Sequence, residues 1–159
     1  MGRWVVGQRR RTQGYQSLAG ARRRDCAAAS RASAAARRFF DSAYCYCDAR
    51  VLSALWGGSV WDAKVTMGRK IGWGNQSILD SELVRARQAA VGRGETCEFM
   101  ETNYTYDDAV ALGSFWQVPV SDAKARIGKL MINGKQKQLS AALKSAKSGK
   151  KAGKKGGKR

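Results

Sequence analysis

Residues 52–71, LSALWGGSVWDAKVTMGRKI, and residues 112–131, LGSFWQVPVSDAKARIGKLM, are one passage written twice, sixty positions apart. Each runs from a leucine to a tryptophan, breaks at a short turn, and resumes with Val-x-Asp-Ala-Lys before a glycine. Worked outward, the match covers residues 39–83 against 99–143 without a gap, and 16 of those 45 pairs are identical. The identities include Phe39/Phe99, Tyr44/Tyr104, Tyr46/Tyr106, Asp48/Asp108, Leu52/Leu112, Trp56/Trp116, Lys64/Lys124 and Gly68/Gly128. Self-similarity at a fixed period is the mark of a repeated supersecondary unit, and two copies are too few for a solenoid. The chain therefore reads as a duplicated helical unit.

Each copy predicts three short helices. The first spans approximately 48–56 and 108–116, opening on an aspartate suited to the positive end of the helix dipole. Its apolar positions Ala49, Leu52, Leu55 and Trp56 fall on one face at helical spacing. A turn follows, Gly57-Gly58-Ser59 in one copy and Gln117-Val118-Pro119 in the other. The second helix starts near Val60 and Val120, with Ser121 expected as an N-cap. Val60, Ala63, Met67 and Ile71 make its stripe, repeated by Val120, Ala123, Ile127 and Met131, and Gly74 and Gly134 end it. The third helix carries Leu79, Leu83 and Ala86, matched by Leu139, Leu143 and Ala146. Gly68 and Gly128 sit inside the second helix, where glycine costs about 1 kcal/mol against alanine. Their retention in both copies predicts a close approach of another backbone.

The formal charge of +18 is unevenly placed. Residues 1–38 carry ten arginines and one acid, for +9; residues 144–159 carry seven lysines and Arg159, for +8; residues 39–143 carry only +1. Cationic ends on a near-neutral repeat call for a polyanionic partner, most often nucleic acid. The Arg-, Ala- and Ser-rich start has three readings: a nucleic-acid-binding arm, an organelle transit peptide, or an extension without a role. Residues 26–38 (CAAASRASAAARR) have the alanine content of a helix. The end, KSAKSGKKAGKKGGKR, has only two alanines as apolar residues and is expected to be disordered when free. No stretch approaches the roughly 18 apolar residues of a membrane span.

With no histidine, a zinc site would need all four of Cys26, Cys45, Cys47 and Cys97, whose spacing fits no zinc ribbon. Cys45 and Cys47 become Thr105 and Asp107 in the second copy. The expectation is no metal, no cofactor and free thiols in a reducing compartment. No imidazole base, acidic pair, P-loop or nucleophile motif is present, which points away from an enzyme.

The passage joining the first and second helices resembles the helix-turn-helix of DNA-binding proteins. Ser53/Gly113 hold the place of the small residue in the first helix, Gly57/Gln117 the turn, and Ala63/Ala123 the buried small residue in the second helix. The resemblance covers about 20 residues per copy and departs from the family where Gln117-Val118-Pro119 replaces the turn glycine. It implies that the second helix lies in the major groove, with Lys64, Arg69 and Lys70, and Lys124, Arg126 and Lys129, facing DNA. Two such helices would act as a built-in pseudo-dimer. The bland alternative is a solvated helix face, with Arg126 engaged by Asp122 four residues earlier. Trp56 and Trp116 read as core residues, and Tyr44 and Tyr46 as packing over the first helix.

The lysine tail is similar to the tails of linker-histone-like and bacterial histone-like proteins. Lys147, Lys150, Lys151, Lys154, Lys155, Lys158 and Arg159 would contact phosphates there. About six such contacts give a log–log salt slope near −5.

The expected architecture is all-α: two tandem three-helix, helix-turn-helix-like modules with disordered basic tails. Residues 1–38 form the arm or targeting segment, 39–83 the first repeat, 84–98 a linker, 99–143 the second repeat and 144–159 the tail. The expected function is non-enzymatic binding of DNA, or of RNA, in a nucleoid-associated, architectural or regulatory role. The expected location is cytoplasm or nucleoid, with organelle import through residues 1–38 as the alternative. The rival functions are a protein-interaction or virion-assembly module built on the duplicated Trp/Tyr surface, and a ribosome-associated RNA-binding protein.

Overall fold

The computed structural model describes the backbone of residues 31–153 and the side chains of 31–148, and it is all-helical across that span. Helix α1 occupies residues 31–40. It is followed by α2 (Tyr46–Trp56), α3 (Val60–Gly72) and α4 (Gln76–Gly92). A single 3-10 turn (Phe99–Glu101) leads into α5 (Tyr106–Trp116), α6 (Val120–Ile132) and α7 (Gln136–Gly153). The first helix of each copy is the hub: α2 packs on α3 and α4, and α5 on α6 and α7.

Most of the expected stripe positions are buried or half-buried, but Leu55, placed on the first-helix stripe, is exposed, as is its partner Phe115. Leu52, Met67 and Leu79 in the first copy, and Leu112, Ile127 and Leu139 in the second, are fully buried. These residues and their neighbours form one continuous apolar cluster drawn from both copies. The duplicated halves therefore share a core rather than hanging as separate beads.

Polar links also cross between the copies. The Asn103 amide donates to the carbonyls of Ala43 and Tyr44, each at 3.3 Å. Arg50 on α2 binds Glu95 and Glu101 at 2.9 and 2.8 Å, and also donates to the Thr96 carbonyl at 2.8 Å.

Helices α2 and α5 begin two residues earlier than their apolar stripes indicate, because Asp48 and Asp108 are not the first residues but sit one turn in. Asp48 Oδ2 accepts the Cys45 N–H at 3.0 Å, and Asp108 Oδ2 accepts the Thr105 N–H at 3.0 Å. Such a carboxylate satisfies a donor that the helix start leaves without a partner.

The other oxygen of each carboxylate does a second job. Asp48 Oδ1 meets Arg87 at 2.6 Å in a pair almost wholly out of water, and Asp108 Oδ1 meets Lys147 at 2.7 Å. Arg87 and Lys147 are themselves sixty residues apart, so the repeat runs at least one turn past Leu143.

Four boundaries change in consequence. The tail expected to be disordered from residue 144 is helical through Gly153, held by the buried Ala146 and by the Lys147–Asp108 pair. The linker placed at 84–98 is α4 as far as Gly92, anchored by Ala86, Arg87 and Ala90. Residues 31–38 belong to the fold: Ala35 and Ala36 pack with Val65, and Phe39 enters the main core. Ser121 is not an N-cap, since Pro119 holds that position; the capping serine is Ser59 in the first copy, which accepts the Asp62 N–H at 3.1 Å.

The cysteine expectation is also corrected. Cys47 and Cys97 form a disulfide across a sequence separation of 50, while Cys45 is a buried free thiol. The bridge ties the segment between the copies onto α2, where Arg50 already grips Thr96 and Glu101. A disulfide of this kind persists in an oxidising compartment, which runs against the reducing one expected. Burial, and then the charge of Asp48, push the Cys45 thiol up to about 12, so it stays protonated and unreactive. Cys26 lies outside the described residues.

Candidate nucleic-acid interface

The passage that resembles a helix-turn-helix brings its diagnostic residues together. Ala63 and Ala123 are buried at the start of α3 and α6. A side chain at Gly113 would stand 3.1 Å from the Val118 carbonyl oxygen and 3.5 Å from Ala123 Cβ, so only a small residue fits beside the turn. The turns themselves differ. Gly57 and Gly58 both take positive φ in the first copy, whereas Gln117 takes the left-handed conformation in the second (φ 56°, ψ 43°). The chain thus supplies the turn by glycine once and by a left-handed glutamine once.

Gly68 and Gly128 explain themselves. A Cβ at Gly68 would overlap the Ala35 carbonyl oxygen of α1, and a Cβ at Gly128 would overlap the Cys97 carbonyl oxygen of the inter-copy segment. In each copy the stretch preceding the first helix crosses the second helix at its glycine. One crossing is made by a helix and the other by an extended segment.

The cations expected to face DNA separate into distinct environments. Lys64 lies over the rings of Phe39, Phe40 and Tyr46 at 5.7, 5.2 and 4.6 Å. Lys124 lies over Phe99 and Tyr106 at 5.2 and 4.8 Å. Lysine, phenylalanine and tyrosine are all identical between the copies, so the duplicated lysine belongs to a duplicated aromatic cradle. Lys70 is engaged by Glu82 at 2.7 Å and lies over Trp56 at 5.3 Å. Lys147 is engaged by Asp108. Lys150 and Lys151 fall on α7 without described side chains, and Lys154, Lys155, Lys158 and Arg159 lie outside the described residues.

Arg69, on α3 in the first copy, is exposed and has no ion pair among the described residues; the second copy instead gathers three cations together. Arg126, Lys129 and Lys135 line a groove of about 280 Å³ with Leu130 and Asn133, at the C-terminal end of α6. All three cations are exposed. Arg126 stacks over Trp116 at 4.5 Å instead of pairing with Asp122. Asn133 caps the end of α6, its side-chain amide donating at 2.7 Å to the same Lys129 carbonyl that its backbone N–H meets at 3.4 Å. Lys135 follows the helix and was missed by reasoning from the second helix alone. Its signal is the change from Asn75 to Lys135 between copies.

A second depression lies between α1, α3 and α4, with Arg38, Asp41, Tyr44, Ile71, Gln76 and Asp80 in its walls. The Tyr44 hydroxyl donates to Asp80 at 2.7 Å, and burial together with that carboxylate raises its pKa. A phenol held protonated in this way is a hydrogen-bond donor, not a base. The Cys47, Cys97 and Glu101 donors also lie close together, but the two sulfurs are bonded to each other and Glu101 binds Arg50. No helix among the described residues is long and apolar enough to cross a membrane.

Comparison with protein-family models, with curated proteins and with solved structures found no match.

Proposed function

We propose that this chain is a non-enzymatic nucleic-acid-binding protein that acts on double-stranded DNA. It would consist of two tandem helix-turn-helix-like modules fused through a shared core, with orientation set by the folded repeat and affinity by cationic ends. The observation that carries the reading is the segregation of charge: a +1 repeat region between ends of +9 and +8. The continuation of α7 past Leu143 adds to it, because the last helix of the fold runs directly into the lysine-rich end. A cationic helix rooted in the core presents its charge at a defined place, and each lysine that neutralises a phosphate releases condensed counterions.

The test is a gel-shift titration of the full chain against a duplex at low salt. It is run beside a variant with Lys150, Lys151, Lys154, Lys155 and Lys158 changed to Gln. The full chain is expected to bind and the variant to lose most of its affinity. Failure of the full chain to bind would end the proposal.

A second reading is a protein-interaction surface, favoured by apolar side chains left exposed at matched positions in both copies: Tyr46/Tyr106, Leu55/Phe115 and Phe40/Met100. Unchanged DNA affinity in the glutamine variant would favour that reading.

A further inference from the structure

We infer that, within the folded repeat, the nucleic-acid backbone is gripped by the second copy and not the first, in the groove of Arg126, Lys129 and Lys135, while the first copy has become its structural partner. The inference rests on the nucleic-acid reading above and narrows it to one site.

The duplicated halves have diverged at positions around this groove. In both copies a cation covers the tryptophan that ends the first helix. In the first copy that cation is Lys70 over Trp56, and Glu82 binds it through both carboxylate oxygens at 2.9 and 2.7 Å. In the second it is Arg126 over Trp116, and no carboxylate pairs with it among the described residues. The residue matching Glu82 is Ala142, so the neutralising acid is missing from the second copy. The residues matching Arg126 and Lys135 are Thr66 and Asn75, so two of the three groove cations are missing from the first. At Thr66/Arg126, Asn75/Lys135 and Glu82/Ala142 divergence has made the second copy more positive, which outweighs the change of Lys70 to Leu130. The 45 residues of the first copy sum to −1 and those of the second to +1.

The groove also has the chemistry of a phosphate site. The Arg126 guanidinium lies over Trp116 and has no hydrogen-bond or ion-pair partner among the described residues, which leaves its N–H donors for a phosphodiester. The side chains of Lys129 and Lys135 have no ion-pair or hydrogen-bond partner among the described residues, so no bond must break for them to engage an anion. The carbonyl end of α6 carries about half a negative charge, which three full positive charges outweigh. Duplex engagement is therefore one-sided, and the two second helices do not read adjacent sites as a pseudo-dimer.

The experiment uses the full chain with a short DNA duplex, measuring affinity across a salt series. Lys129→Ala with Lys135→Ala is compared with a charge-matched control in the first half, Arg69→Ala with Arg85→Ala. Both control residues are exposed, and both pairs of substitutions remove two positive charges. Thermal unfolding checks that both variants keep the fold. If both lysines touch phosphates, the salt slope should lose about two units and affinity near 0.1 M salt should fall roughly tenfold to fiftyfold. The control should fall much less. Equal losses in the two variants would overturn the one-sided site and leave the general reading standing. Absence of binding by the unaltered chain would overturn both.

Discussion

Adding one methyl group to Gly68 or Gly128 tests the crossing that organises each copy. In a free helix, Gly→Ala is stabilising by about 1 kcal/mol. Here the new Cβ would overlap a carbonyl oxygen, of Ala35 in one copy and of Cys97 in the other, and backbone cannot yield as a side-chain tip can. Ordinary contact begins near 3.4 Å, so the crossing segment must retreat by more than an ångström. Overpacking of this kind costs about 1–3 kcal/mol, and more where the neighbour is fixed. The Cys97 segment is pinned by its disulfide and by Arg50, so Gly128→Ala should be the worse of the two. After the propensity gain, each substitution should still lower stability by about 1–2 kcal/mol. For a domain of this size that is a fall in Tm of roughly 3–10 °C. Gly92→Ala is the control, because nothing lies within 4 Å of its Cβ position and it should gain or hold stability. Reversible thermal or urea unfolding of the three variants gives the answer. If Gly68→Ala and Gly128→Ala are stabilised like Gly92→Ala, the crossings are wrong.

Four further outcomes follow from the ion pairs and the disulfide. Asp48→Ala leaves Arg87 charged and buried, and should cost about 3–5 kcal/mol in urea unfolding. Asp108→Ala should cost only about 1–2 kcal/mol, mostly the lost cap, because Lys147 is exposed to solvent. The pH dependence can be assigned as well. Burial pushes the Asp108 carboxyl up, but hydrogen bonds from Lys147 and Thr105 outweigh it and hold its pKa below the usual value. A carboxyl depressed in the folded state binds fewer protons there than in the unfolded chain. Its contribution is therefore complete above the unfolded value near 4 and is lost as pH falls below it. Stability measured from pH 7 to pH 3 should decline more shallowly in Lys147→Met. Finally, reducing Cys47–Cys97 reopens a loop of about 50 residues and should cost up to about 4 kcal/mol. Melting with and without a thiol reductant, alongside Cys47→Ser with Cys97→Ser, measures it.

Much of the framework was legible because duplication supplies its own control. Leu52, Met67, Leu79 and their partners are buried where helical spacing puts them, and the twice-kept glycine marks a close approach. The errors fall where a specific partner, one turn away or far along the chain, decides the outcome and leaves no periodic trace. Helix α2 starts at Tyr46 because Asp48 reaches back to Cys45, and a Cys/Thr cap three residues ahead of a repeated aspartate was the available signal. Helix α7 persists because Lys147 finds Asp108, a pairing visible only if Arg87/Lys147 is aligned beyond the identical core. The Cys47–Cys97 bond joins two positions that have no counterpart cysteine, so the repeat says nothing about it. At the site, Lys64 and Lys124 read as free cations until their aromatic neighbours are placed, since Phe39 and Tyr46 lie on different helices. The groove in the second copy was half legible: Arg126 and Lys129 from the helix face, Lys135 only from its position after the helix end.

The central claim is that this chain binds nucleic acid through phosphate contacts, and the salt dependence of binding tests it most directly. The full chain should be titrated against duplex DNA, single-stranded DNA and RNA of equal length over a range of salt. Tight duplex binding at low salt is expected, with a log–log slope near −5 or steeper for about six or more phosphate contacts. Absent binding, or affinity for the duplex that barely changes with salt, would contradict it.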